Sequence, residues 1–158
     1  MTIIEGTMTE HGSEFTTALI KRLQKATTLD RDIDFDIAYA IDWRYDAGED
    51  CGFREYADKF QRLARKDNYP RYTASLDAAL TLVGDFWLEL AVYHEGVFGA
   101  HAWLHAPEHL VSSKMIVWGE AHLKPSQSTS FKNAHDLYPI AICVAALKAA
   151  NKQVLSGR

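Results

Sequence analysis

FWLELAVYHEGVFGAHAWLH, residues 86–105, decides the fold. In its first half Phe86, Leu88, Leu90 and Val92 alternate with Trp87, Glu89, Ala91 and Tyr93. After Glu95-Gly96, a turn pair, alternation resumes with Ala100, Ala102 and Leu104 against His101, Trp103 and His105. A period of two marks a half-buried strand, because successive side chains point to opposite faces. The connection is too short for a helical crossover, so the two strands pair antiparallel. Pro107 closes the second strand. Residues 114–120 supply a third, with Met115 and Val117 on the buried parity and Lys114, Ile116, Trp118 and Glu120 on the other.

Helical periodicity surrounds this meander. Phe15, Leu19 and Leu23 recur every four residues and predict a helix over 14–26, with Ser13 as its cap and residues 1–12 as a flexible tail. A second helix starts at Asp30, with Asp32 and Asp34 in its first turn, where the helix dipole favours carboxylates. Ile33, Ile37, Tyr39, Ala40 and Ile41 form its apolar side and Trp43 ends it. Residues 45–69 read as a surface insertion: an acidic loop, then a charged helix over 54–65. PRYTASLDAALTLV, residues 70–83, predicts a helix capped by Thr73 or Ser75, with Leu76, Leu80 and Val83 toward the core and Gly84 as its stop. Residues 123–136 are rich in Ser, Thr and Lys and predict a mobile loop. Pro139 opens a last helix with Ile140, Cys143, Val144 and Leu147 as its stripe, and alanines that permit close packing. The expectation is a single α+β domain over 13–158, a three-stranded antiparallel sheet with helices packed on it. Leu80, Leu90, Ala102 and Leu147 are expected to meet in its core.

Composition excludes several classes. The chain has 158 residues, 17 Lys+Arg against 21 Asp+Glu, and a formal net charge of -4, unlike a duplex nucleic-acid binder with its basic excess. No apolar run approaches the ~20 residues of a membrane span, and the start lacks a signal-peptide pattern. Two cysteines, Cys51 and Cys143, build no disulfide framework, which points to a reducing cytoplasm.

Candidate chemistry is sparse. Asp30, Asp32, Asp34 and Asp36 share the spacing of a calcium loop, but Phe35 stands where its glycine belongs and Ile41 where its glutamate belongs. His101, His105 and His109 are four apart, which on a strand spreads them ~13 Å, too far for one ion. No metal and no cofactor is expected. Cys143 sits on an apolar stripe, Cys51 in an acidic loop that disfavours a thiolate, and Ser75 lacks the elbow of a hydrolase nucleophile. No nucleophile–base pair is visible, so the chain is expected not to be an enzyme.

Two surfaces remain. The outer sheet face carries Trp87, Tyr93, Trp103 and Trp118 beside Glu89, His101 and His105. A bare face with this much aromatic surface needs a cover. Helices of the same chain, a second copy in a homo-oligomer, or a stacked planar ligand would each supply one. The entrance of the 70–83 helix is the other surface: Thr73 and Ser75 beside Arg71 could receive a phosphate, unless the two hydroxyls simply cap the helix.

LIKRLQKATTLDRDIDFDIAYAI (residues 19–41), PRYTASLDAALTLV followed by FWLEL, and LYPIAICVAALKAA (residues 137–150) together resemble the phage ABA-sandwich domain family. The stretch Tyr72-Thr73-x-Ser75-Leu76-Asp77-Ala78-Ala79 before an aromatic strand carries most of that resemblance. It implies an α-β-α layering and a phage or prophage setting, and no catalytic residue. The resulting expectation is a non-enzymatic anti-defence protein of the host-cell cytoplasm that sequesters a small nucleotide-like host signal. The alternatives are a module that docks its acidic 42–50 surface on a host protein, and an enzyme of another kind.

Overall fold

The computed structural model of the chain describes residues 2–41, 53, 69–93, 99–105, 117–123 and 130–155. Helix α1 spans Thr2–Gln24 and α2 Arg31–Ala40. A short helix α3, Leu76–Leu80, precedes strands β1 (Trp87–Tyr93), β2 (Gly99–His105) and β3 (Val117–Leu123). A 3-10 turn at Ala134–Leu137 runs directly into α4, Tyr138–Leu155. The strands form one antiparallel sheet in the order β1-β2-β3, the meander that the alternation predicts.

Residues directly opposite in a sheet share a face, so the register sorts the side chains. Leu88↔Leu104, Leu90↔Ala102 and Ala102↔Ala121 lie on the inner face. Ala100, Ala102, Leu104, Ala121 and Leu123 are buried there, and Leu88 and Leu90 pack against them half-buried. Helix α4 lies on this face against β2 and β3, and α1 and α3 pack on α4 in turn. Residues 139–147 are buried on every side of α4, as befits a helix at the centre of a molecule. The approach is close: a Cβ built on Gly119 would lie 1.8 Å from the Ala145 carbonyl oxygen. Glycine is required there because strand and helix backbones nearly touch.

The loop-side elements are tied by one buried carboxylate. Asp30 caps α2, accepting from the Asp32 amide. Asp34 lies one turn further in and is buried. Its Oδ1 accepts from the amide and the hydroxyl of Thr73, both at 2.8 Å, and its Oδ2 accepts from Arg31 at 2.8 Å. Arg31 also donates to the carbonyls of Tyr69 (2.8 Å) and Pro70 (3.1 Å) and lies 4.1 Å over the Tyr69 ring. A buried ion is tolerated only when paired and hydrogen-bonded, and Asp34 satisfies both conditions. Nearby, Tyr72 and Cys143 are fully buried, and the Cys143 thiol donates to the Tyr72 carbonyl at 3.5 Å. Burial, reinforced by the negative charge of Asp34, pushes both groups far above their ordinary pKa values.

Several sequence expectations are corrected. The α1 backbone is already helical at Thr2, within the stretch read as a tail; no proline interrupts residues 2–24. The 70–83 helix contracts to Leu76–Leu80, flanked by turns, and Gly84 ends the segment at φ 60°. Its core side is Ala79 and Val83, whereas Leu76 is 42% and Leu80 40% exposed. The described part of β3 runs beyond Glu120 to Leu123. A register slip between Leu104 and His105 sets Val117 opposite His105, on the outer face, so Val117 is exposed instead of buried. The polar 123–136 stretch contains the 3-10 turn, whose Asn133 and Asp136 form a capping box. Two members of the expected surface insertion, Phe53 and Tyr69, are buried and meet Phe35 edge-on at 5.3 and 5.6 Å. The rest of that segment lies outside the described residues, with Trp43, Cys51, the acidic 42–50 loop, the Glu95-Gly96 turn, Pro107, His109 and Met115.

Candidate functional site: the outer face of the sheet

The two predicted surfaces have different fates. At the helix entrance, the Thr73 hydroxyl and amide are both committed to Asp34, and Thr73 is buried. Ser75, not Thr73, is the cap, its Oγ accepting from the Ala78 amide at 3.2 Å. Arg71 is exposed, and its carbonyl receives the Ala74 and Ser75 amides. The position where an anion would sit carries the Asp34 carboxylate, and the helix behind it is five residues long. Arg71, Thr73 and Ser75 thus form a structural corner.

The outer face is assembled as the alternation predicts, with a different internal order. Glu89↔Trp103↔Glu120 runs straight across the three strands, Trp87↔His105 lies to one side, and Ala91↔His101↔His122 to the other. Each glutamate reaches diagonally to an imidazole on β2. His101 Nε2 donates to Glu120 at 2.7 Å and His105 Nε2 donates to Glu89 at 3.0 Å. A carboxylate only accepts, so both rings carry a proton on Nε2. His105 Nδ1 is then buried with no hydrogen-bond partner.

The rings form a slab. His101 stacks on Trp103 with centroids 3.7 Å apart and planes 23° apart. The His122 ring stands 4.7 Å from that of His101, parallel to within 2°. Among the described residues Trp103 pairs with His101, and Trp87 makes no ring contact. Tyr93 and Trp118 lie on the β1 and β3 backbones, and their side chains fall outside the described residues.

This face is open. Trp87 is 54% exposed, the side chains of Glu89 and Glu120 are 64% and 52% exposed, and Ala91 and His122 are exposed. These five positions reach solvent, whereas His101, Trp103 and His105 are half-buried. No group of three or more His, Cys, Asp or Glu among the described residues is placed to hold a metal ion. Among those residues no helix is long and apolar enough to cross a membrane.

Sequence reasoning passed over His122 and Asp34. The signal for His122 was the period of two through Trp118, Glu120 and His122, which continues the third strand beyond its assigned end. The signal for Asp34 was its place one turn before Ala38, on the core stripe of α2. Comparison with protein-family models, curated proteins and solved structures finds no match for this chain.

Proposed function

We propose that the protein is a non-catalytic binding protein that takes a planar heteroaromatic ligand on the outer sheet face. The observation that carries this reading is the Trp103–His101–His122 stack, held on rigid strands and flanked by two exposed glutamates. Stacking a base on an aromatic side chain contributes ~1–3 kcal/mol and is indifferent to base identity. Exposed carboxylates add direction, because they accept the exocyclic amino group of a base edge. In the phage setting that the sequence resemblance implies, this activity is sequestration of a nucleotide-like host signal in the host cytoplasm. The base is the recognised part, through the ring stack and the exposed carboxylates.

Calorimetric titration with nucleosides and the matching nucleotides tests this reading. Nucleosides should bind at least as tightly as nucleotides, and His101→Ala should remove binding while the protein stays folded. A protein that ignores every nucleoside, or that binds only through phosphate, refutes it.

A second reading is supported by Trp87, which stands 54% exposed at the rim of the face. Tryptophan is the residue most enriched at protein–protein hot spots. On this reading the same face docks on a host protein or on a second copy, and Trp87→Ala abolishes a complex seen by sedimentation.

A further inference from the structure

A cleft of about 530 Å³ opens where the 3-10 turn meets the turns before α3, away from the residues of the sheet face. That volume lies within the ~300–1,000 Å³ of ordinary small-molecule sites. Its walls are unusual in two respects.

The first is apolar exposure. Leu29 and Leu76 are 50% and 42% exposed, and both line this one concavity, together with Phe131 and Tyr138. Leu76 was expected in the core by its spacing; the fold instead turns it into the cleft.

The second is the state of the polar groups. Most of them are already committed within the chain. Thr73 donates to Asp34, and the Ser130 hydroxyl donates to the Thr27 carbonyl at 3.0 Å. Asp136, the one carboxylate among the lining residues, accepts from the amides of Lys132 (2.8 Å) and Asn133 (3.3 Å). Three donors remain: the Lys132 ammonium, the His135 imidazole and the Tyr138 phenol, the last two held edge-to-face at 5.3 Å. Lys132 forms no ion pair among the described residues. Hydrocarbon walls with an uncommitted ammonium and two further donors are complementary to one ligand chemistry, a hydrophobic body ending in an anion.

We propose that this cleft binds an amphipathic monocarboxylate, its hydrocarbon on Leu29, Leu76 and Phe131 and its carboxylate on Lys132 and His135. The ligand is a free medium-chain or aryl carboxylic acid. The site is independent of the sheet face and stands or falls without it.

Octanoate is the probe, with 1-octanol as its uncharged match, followed by amide chemical shifts in nuclear magnetic resonance. Octanoate should shift the amides of residues 130–138 and bind roughly tenfold or more tightly than octanol, the effect of one charge-assisted hydrogen bond. Lys132→Ala should erase that difference and leave octanol binding as it was. Leu76→Asp, at an exposed position, should remove both ligands without loss of fold. Equal affinity for octanoate and octanol in the unaltered protein overturns the proposal, as does unchanged octanoate binding in Lys132→Ala. Tighter binding of a short peptide ending in leucine than of octanoate assigns the cleft to a chain terminus and overturns it as well.

Discussion

The inner and outer faces of the sheet use alternate residues of the same three strands, and they invert the usual relation between size and burial. Where α4 lies closest, the inner face holds Ala100, Ala102, Gly119 and Ala121, among the smallest side chains available and all buried, with Leu104 and Leu123 buried beside them. The outer face holds Trp87, His101, Trp103, His105 and His122, among the largest, half-buried or exposed. The inner side is small because α4 comes so near that a methyl group at Gly119 would collide with its backbone. Tight packing at Gly119 comes from proximity, through many dispersion contacts. The aromatic residues opposite are therefore not needed to fill a core. The proposed ligand face rests on their size and their stacked order.

The comparison can be broken most forcefully at Gly119. Gly119→Val should prevent cooperative unfolding altogether, since the obstructing atom belongs to the helix backbone and cannot rotate aside; circular dichroism during a thermal ramp reads this. Next comes Leu104→Ala, which empties a fully buried site and should cost ~2–5 kcal/mol in urea denaturation. On the outer face Trp103→Ala should cost only ~1 kcal/mol, about the contribution of one aromatic pair, and should abolish nucleoside binding. Smaller still is Glu120→Gln, an exposed partner of His101, whose effect on stability should stay within ~0.5 kcal/mol. An outer-face loss as large as that of Leu104→Ala would mean that both faces are core, and the contrast would fail.

The same inversion explains which parts of the molecule were legible in the sequence. Strand alternation was clear because Trp, His and Glu at one parity and Ala and Leu at the other differ in polarity. The stripes of α1 and α4 were clear for the same reason. The core side of α3 was not. Leu76 and Leu80 are spaced as a buried pair, yet Ala79 and Val83 are the buried positions of this segment, which packs on α4. The candidate site was legible as a list of large residues on one parity, and not as a stack, because the order within it depends on the slip between Leu104 and His105 and on where β3 ends. Asp34 was hidden by its company. Four aspartates at alternate positions read as one solvated helix start, and only packing against Thr73 and Arg31 separates the buried one from its neighbours.

Cys143 gives the molecule an internal clock. Its sulfur is sealed beneath the Tyr72 carbonyl, and its proton is held well beyond the range in which thiols ordinarily react. Only the thiolate attacks an alkylating reagent, so the intact fold protects this position twice, by access and by charge. Alkylation of Cys143, resolved from Cys51 by peptide mass, therefore advances only when α4 lifts from its neighbours. Its rate counts the openings of the helix on which α1, α3 and the sheet rest.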